Sequence, residues 1–271
     1  MAQASYARRQ TDLIKSIYIP IFSDSEKNRA GALLTLKTIR VGFPTVPITA
    51  CLMRGCDTNV LGYAPAPLYR FLGYAPLCRL SDDIYWDTNS PFTTNDQLIK
   101  SLVETEENGF AVIDSDVVFF DNCENFQTNA LIAGELIPKF YCPIANSDTV
   151  SRLHTAFFVV PDPPKLRAAI KDVYTPMLPK FCPFNPFSPV TTFLGRRPLF
   201  YDSCANLYHA LGGEAFNEAM LNKFEHCYSG SYAHLLPWPH AEFLSEVYKQ
   251  PSVAKGFRNV MNRFFENRKA A

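Results

Sequence analysis

Asp114 and Asp116 stand one residue apart in GFAVIDSDVVFFDN (109–122), between two apolar runs. In an extended strand residues i and i+2 point to one face, so the pair sets two carboxylates side by side. Like charges that close repel each other. A hard divalent cation, Mg²⁺ or Mn²⁺, cancels the repulsion and takes carboxylate oxygens as ligands. A strand-end turn with two solvated acids fits the same spacing. Position favours the cation, because open α/β sheets bind ligands at the carboxyl ends of their strands.

The elements around the pair predict such a sheet. SIYIPIF (16–22) is a short apolar run, the helical spacing of AGALLTLKTIRV (30–41) follows a polar stretch, and VPITACLM (46–53) is a second β-branched run. Strand, helix, strand is the unit that builds parallel sheets. Residues 54–93 read as irregular, with a near-duplication of LGYAPAPL (61–68) in LGYAPL (72–77). NDQLIKSLVETEE (95–107) predicts a helix capped by Thr94 or Asn95 and ended by Asn108-Gly109, with FAVIDSDVVFF as the next strand. Further on the pattern predicts a short helix at 129–137, a strand at 154–161 and a helix at 164–174 opened by proline. Residues 175–198 hold six prolines and read as loop. Helices are expected at 201–213, with Asp202 as cap and Gly212-Gly213 as stop, and at 215–224.

Composition bounds the rest. The 271 residues are 47% apolar and 14% aromatic, ample for one core, and Lys plus Arg balance Asp plus Glu at 26 each. A neutral chain lacks the basic footprint of a nucleic-acid-binding domain. The six Lys/Arg from Lys249 onward leave only a local hint of an anionic partner. No stretch approaches the roughly 18–20 apolar residues that span a bilayer, and no signal-peptide pattern opens the chain. A cytoplasmic location is expected. The eight cysteines are scattered without a C-x-x-C pair and read as buried free thiols.

D-x-D at the end of an apolar strand resembles the metal-binding motif of the GT-A fold glycosyltransferases. Other pieces follow in that family's order. The opening strand, polar loop and helix resemble its nucleotide-binding start, HTAFFVVPDPPKLRAAI (154–170) its acceptor-side strand and helix, FNEAMLN (216–222) the D-[EQ]-x-x-L-N helix of glycogenin-like members, and HCYSGSYAH (226–234) the stretch that returns a metal ligand. The resemblance spans about residues 16–240. It implies a single GT-A-like, Rossmann-like α/β domain with a mixed, mostly parallel sheet flanked by helices. Residues 16–122 would form the nucleotide-sugar half, 123–248 the acceptor half and 249–271 a basic helical tail.

The resemblance also assigns roles. Asp116 would bind Mn²⁺ or Mg²⁺ directly, Asp114 the ion or the donor ribose, and His226 would complete the metal shell, with His234 and His240 as rivals. Asp24, Lys27, Asn28 and Ser115 would contact a nucleotide-sugar, a UDP-sugar on the base rates of such donors. Asn217 stands where glycogenin-like members have an Asp. Glu218 or Glu214 is then the expected base for the acceptor hydroxyl if the reaction inverts the sugar centre. The acceptor class stays open among glycan, lipid-linked sugar, protein and hydroxymethylated DNA base.

Three rival readings share the motif. A haloacid-dehalogenase phosphatase would use Asp114 as nucleophile. Its acidic pair should lie downstream, whereas Asp82-Asp83 lies upstream. A sugar nucleotidyltransferase would open on a Gly-rich loop, and SDSEKNRAG holds one glycine. A non-catalytic module has no need of an intact D-x-D. No P-loop, G-x-G-x-x-G, H-E-x-x-H or G-x-S-x-G occurs.

Overall fold

Ile17, Ile19 and Ile21 lie in a strand, β1 (Ser16–Ile21), in which every residue after the first is buried. Burial of successive residues means both faces are covered, the mark of a strand inside an α/β sheet. The computed structural model of the chain describes residues 13–21, 26–52, 69–74, 91–138, 141–142, 147–148, 151–174 and 204–226.

Helix α1 (Glu26–Gly42) starts earlier than the apolar spacing suggests and buries Ala32, Thr35, Leu36 and Ile39 along one stripe. Its end is closed by Arg40, whose Nη1 donates to the carbonyls of Phe43 at 2.9 Å and Val46 at 2.8 Å. Strand β2 (Ile48–Leu52) then runs parallel to β1, and β3 (Tyr69–Tyr74) runs parallel to β2. The stretch 54–93 is therefore not irregular throughout. Helix α2 (Pro91–Thr105) begins on proline, which suits a first helical position. Thr94 and Asn95 consequently lie inside the helix rather than at its cap. Leu98, Ile99, Leu102 and Val103 form its buried face and deliver the chain to β4 (Phe110–Ile113).

Beyond β4 come β5 (Val117–Phe119), β6 (Ala133–Ile137), the small antiparallel pair β7 (Tyr141–Cys142) and β8 (Ser147–Asp148), and β9 (Arg152–Val160). Helix α3 (Pro163–Tyr174) opens on proline, and its Arg167 donates to the carbonyls of Val103 and Glu106, tying it to the end of α2. Helix α4 (Ala205–Leu211), β10 (Glu214–Ala215), α5 (Glu218–Leu221) and β11 (Phe224–His226) complete the described elements.

The main sheet has seven strands in the order β10-β6-β9-β4-β1-β2-β3. Strands β3, β2, β1 and β4 are parallel, β9 is antiparallel to both β4 and β6, and β10 is parallel to β6. The expected mixed, mostly parallel α/β sheet is what the chain forms. Cys51, Cys123 and Cys204 are free and buried, and burial pushes the thiols of Cys51 and Cys123 up to about 12. No helix among the described residues is long and apolar enough to cross a membrane.

Four local expectations are corrected. The helix predicted at 129–137 is an extended approach to strand β6, because the β9 edge offers backbone partners to Ala133–Ile137. The helix predicted at 215–224 survives as the four residues of α5 alone, with its flanks drawn into pairing with β6 and β5. The helix predicted at 201–213 is shortened to Ala205–Leu211, with Cys204 at its N-cap in a left-handed conformation (φ 64°) and Gly212 at its C-cap. Asp202, its expected cap, lies outside the described residues, as do 175–198 and the basic tail at 249–271. The strand predicted across both aspartates is split in two.

Gly109 shows how tightly the site-bearing strand is seated. A Cβ there would come within 2.2 Å of the Leu13 carbonyl oxygen and 2.6 Å of that of Pro161. Backbone atoms on both sides leave no side chain to yield. Gly109→Ala is expected to lower stability by about 1–3 kcal/mol, the range of overpacked cores, read as a lower urea midpoint with an unchanged m-value.

Candidate metal centre

Asp114 is the first residue beyond the carboxyl end of β4, and its backbone N–H still follows the sheet, donating to the Ala156 carbonyl of β9 at 2.8 Å. The chain then turns through Ser115 and Asp116, both buried, before β5. The two carboxylates converge across this turn, not along one face of a continuous strand.

The third member arrives from far along the chain. Strand β11 pairs antiparallel with β5, matching Phe224 to Phe119 and His226 to Val117. Lys223 extends the pairing, its carbonyl accepting from the Phe120 N–H at 2.7 Å and its Nζ donating to the Asn122 carbonyl at 2.7 Å. Beneath the two strands, the ring of Phe157 packs on those of Phe119, Phe216 and Phe224 with centroids 5.0–5.9 Å apart. Helix α1 also holds β5, with the Phe119 N–H donating to Thr38 Oγ1 at 3.2 Å. His226 is thereby placed with its Nε2 3.0 Å from Asp116 Oδ1, the two side chains only 10% and 9% exposed.

One ligand atom from each of Asp114, Asp116 and His226 lies within 4.8 Å of the others. Oxygens on opposite sides of one divalent cation stand about 4–5 Å apart, so the three donors fit around a single ion. Two carboxylates with one imidazole suit Mn²⁺ or Mg²⁺ better than the thiolate-rich sets preferred by softer metals. The group also sits at a place the topology singles out. From β1 the strand order runs to β2 and β3 on one side and to β4 on the other. The carboxyl ends of β1 and β4 therefore flank a switch point, where open sheets take their ligands.

Electrostatics couples the three residues. Burial, the largest influence, pulls the His226 pKa down, but the charge of Asp116 and its hydrogen bond, then the charges of Asp114 and Glu135, raise it to about 9. These charges favour the protonated imidazole, which stands against Asp116.

The remaining expected site residues are spread more widely. Lys27 and Asn28 lie in the first turn of α1, the helix that follows β1 at the switch point. Asp24, His234 and His240 fall outside the described residues. Ser115 is buried in the turn between the aspartates. Glu214 is exposed on β10 and accepts from Thr128 Oγ1 at 2.5 Å. Glu218 is exposed at the start of α5, where Asn217 caps the helix by accepting from the Met220 N–H at 2.9 Å. Two residues beside the cluster carry no sequence signal. His154 and Glu135 come together through strand pairing, which local patterns do not encode.

No protein-family model matches the chain, and no curated protein sequence does. Solved structures do resemble it. The galactosyltransferase LgtC, in complex with donor and acceptor sugar analogs, matches with 10% identity over 75% of this chain and 73% of LgtC, at a TM-score of 0.40. The bifunctional glycosyltransferase WbbM, in its apo form, matches with 9% identity over 76% of this chain and 39% of WbbM, at 0.44. The PaToxG glycosyltransferase matches with 12% identity over 60% of each chain, at 0.34. At this divergence functional meaning rests on the chain's own residues.

Two measurements probe the centre. A raised imidazole pKa stabilises the fold fully below the unfolded value of 6.5 and ceases to do so as pH climbs through about 9. In EDTA, the stability advantage of the wild type over His226→Asn should therefore shrink across that window, as read by urea midpoints. A cation can ligate only the neutral imidazole, so binding of Mn²⁺ near neutral pH should release about one proton. Calorimetry in buffers of different ionisation enthalpy reads that release.

Proposed function

We propose that this chain is a metal-dependent glycosyltransferase, moving a sugar from a nucleotide-sugar to a hydroxyl acceptor. The observation that carries the reading is the meeting of Asp114, Asp116 and His226 at the carboxyl end of β4, beside the β1/β4 switch point. What a bound Mn²⁺ or Mg²⁺ supplies there is positive charge against a diphosphate leaving group.

The chain's own residues do the rest. Asp116 and His226 hold the ion, and Asp114 holds the ion or the donor ribose. Lys27 and Asn28, at the start of α1, contact the nucleotide together with Asp24 and Ser115. A helix that follows a strand at a switch point presents free N–H groups towards phosphate, which suits a diphosphate spanning the gap between β1 and β4. Near burial of Asp116 and His226 limits water around the ion and strengthens the charge interactions there. A UDP-sugar is the first donor to test. Residues 123–248 form the acceptor side, with Glu218 or Glu214 taking the acceptor proton if configuration inverts.

With UDP and Mn²⁺ at about a hundredfold excess over Kd, the melting temperature should rise by roughly 5 °C or more. Asp116→Ala should abolish the rise. A screen of nucleotide-sugars for slow metal-dependent hydrolysis then identifies the donor. Failure of every nucleoside diphosphate to stabilise the chain in the presence of Mn²⁺ would refute the reading.

A further inference from the structure

The imidazole of His226 is packed against a second imidazole. The ring of His154 lies 4.7 Å from it, centroid to centroid, inclined by 52°. A break in the sheet produces this contact. Strands β6 and β9 pair Gly134 with Phe158 but Glu135 with His154, so β9 carries three extra residues, 155–157, at that step. Such bulges re-aim side chains and are common beside active sites.

The bulge is built into its surroundings. A Cβ on Gly134 would come within 3.2 Å of the carbonyl oxygens of His154 and Phe157, closer than most Cβ contacts. On its other edge β9 keeps a regular register with β4, and Ala156 accepts the Asp114 N–H as the next step of that ladder. One strand therefore holds the first aspartate by its backbone along one edge and, through the bulge on the other, presents His154 to the histidine. Across the ladder Glu135 is directly paired with His154, which puts both side chains on one face. Burial raises the Glu135 carboxyl above its ordinary range, and the charge of His226 pulls it back down. The carboxylate thus lies close enough to sense the ligand histidine.

We propose that His154 is a positioning residue of the metal centre, its ring holding the His226 imidazole in the orientation that ligates. This rests on the reading of Asp114, Asp116 and His226 as a cation site. The physical need is clear from the placement of His226, the last residue of a three-residue strand. A side chain there has little of its own element to restrict its rotamers, while a metal ligand must be held to a fraction of an ångström. Outer-shell groups that orient a ligating histidine by hydrogen bonds are typically worth 10–100-fold in metal affinity, and a packed ring restrains the same orientation.

The test uses the full chain and Mn²⁺ alone. Affinity is read by electron paramagnetic resonance titration, and imidazole ligation by the ¹⁴N modulation of the Mn²⁺ spin echo. The wild type should bind with a nitrogen signal that His226→Ala removes. His154→Ala should weaken binding about tenfold or more and diminish the nitrogen signal, while His154→Phe, which keeps a ring against His226, should stay within about twofold of wild type. Circular dichroism confirms folding. His154→Leu fills the volume without a flat ring and serves if the alanine variant is unstable. Wild-type affinity and nitrogen signal in folded His154→Ala or His154→Leu would overturn the inference and leave the cation site standing. A wild-type chain that binds no Mn²⁺ would overturn the cation site itself.

Discussion

The three-residue pairing of β11 with β5 is the contact on which the site depends. Without it, Asp114 and Asp116 are two acids at a strand end, and His226 belongs to another part of the chain. The backbone ladder fixes the register, matching His226 to Val117 one residue beyond Asp116. The rings of Phe119, Phe157, Phe216 and Phe224 supply the adhesion that so short a ladder lacks. Aromatic pairs in such edge-to-face arrangements contribute about 0.5–1.5 kcal/mol each beyond the area they bury. Helix α1 adds a hydrogen bond from the Phe119 N–H to Thr38.

That frame confines charges that would otherwise separate. Carboxylates within 4.8 Å of each other repel by roughly 3 kcal/mol at an effective dielectric of about 20. The His226 imidazole stands against Asp116, and the charges of both aspartates raise its pKa, so a protonated His226 offsets part of that repulsion.

Much of the fold was legible in the sequence because its elements obey one clear period. The apolar run of β1, the Ala32, Leu36 and Ile39 stripe of α1 and the Leu98–Val103 face of α2 each bury along a single pattern, although α1 begins at Glu26, ahead of its stripe, and leaves Val41 exposed. Legibility failed where tertiary pairing overrode local preference. AFNEAMLNKF is rich in helix formers, yet all but four of its residues serve strands, turns and caps, because β6 and β5 offer partners on either side. Strand β6 departs from its local pattern for the same reason, and β3 lies in a stretch rich in prolines and glycines. The aspartates and His226 were legible as residue types in an order. Their convergence at a turn was not. His154 and Glu135 were out of reach, since a register shift between two strands leaves no trace in either one.

The separation of the ligands also has a consequence in time. About 110 residues lie between Asp116 and His226. At ~5–20 residues per second of synthesis, roughly 5–20 s pass between their emergence from a ribosome. Through that interval β1, α1, β2 and β4 have been made, and the residue that completes the Asp114, Asp116 and His226 group has not. The centre comes into being only when one of the last described strands docks. A chain ending before residue 224 therefore carries β1, β2, β4 and both aspartates, but not the strand that brings His226 to them.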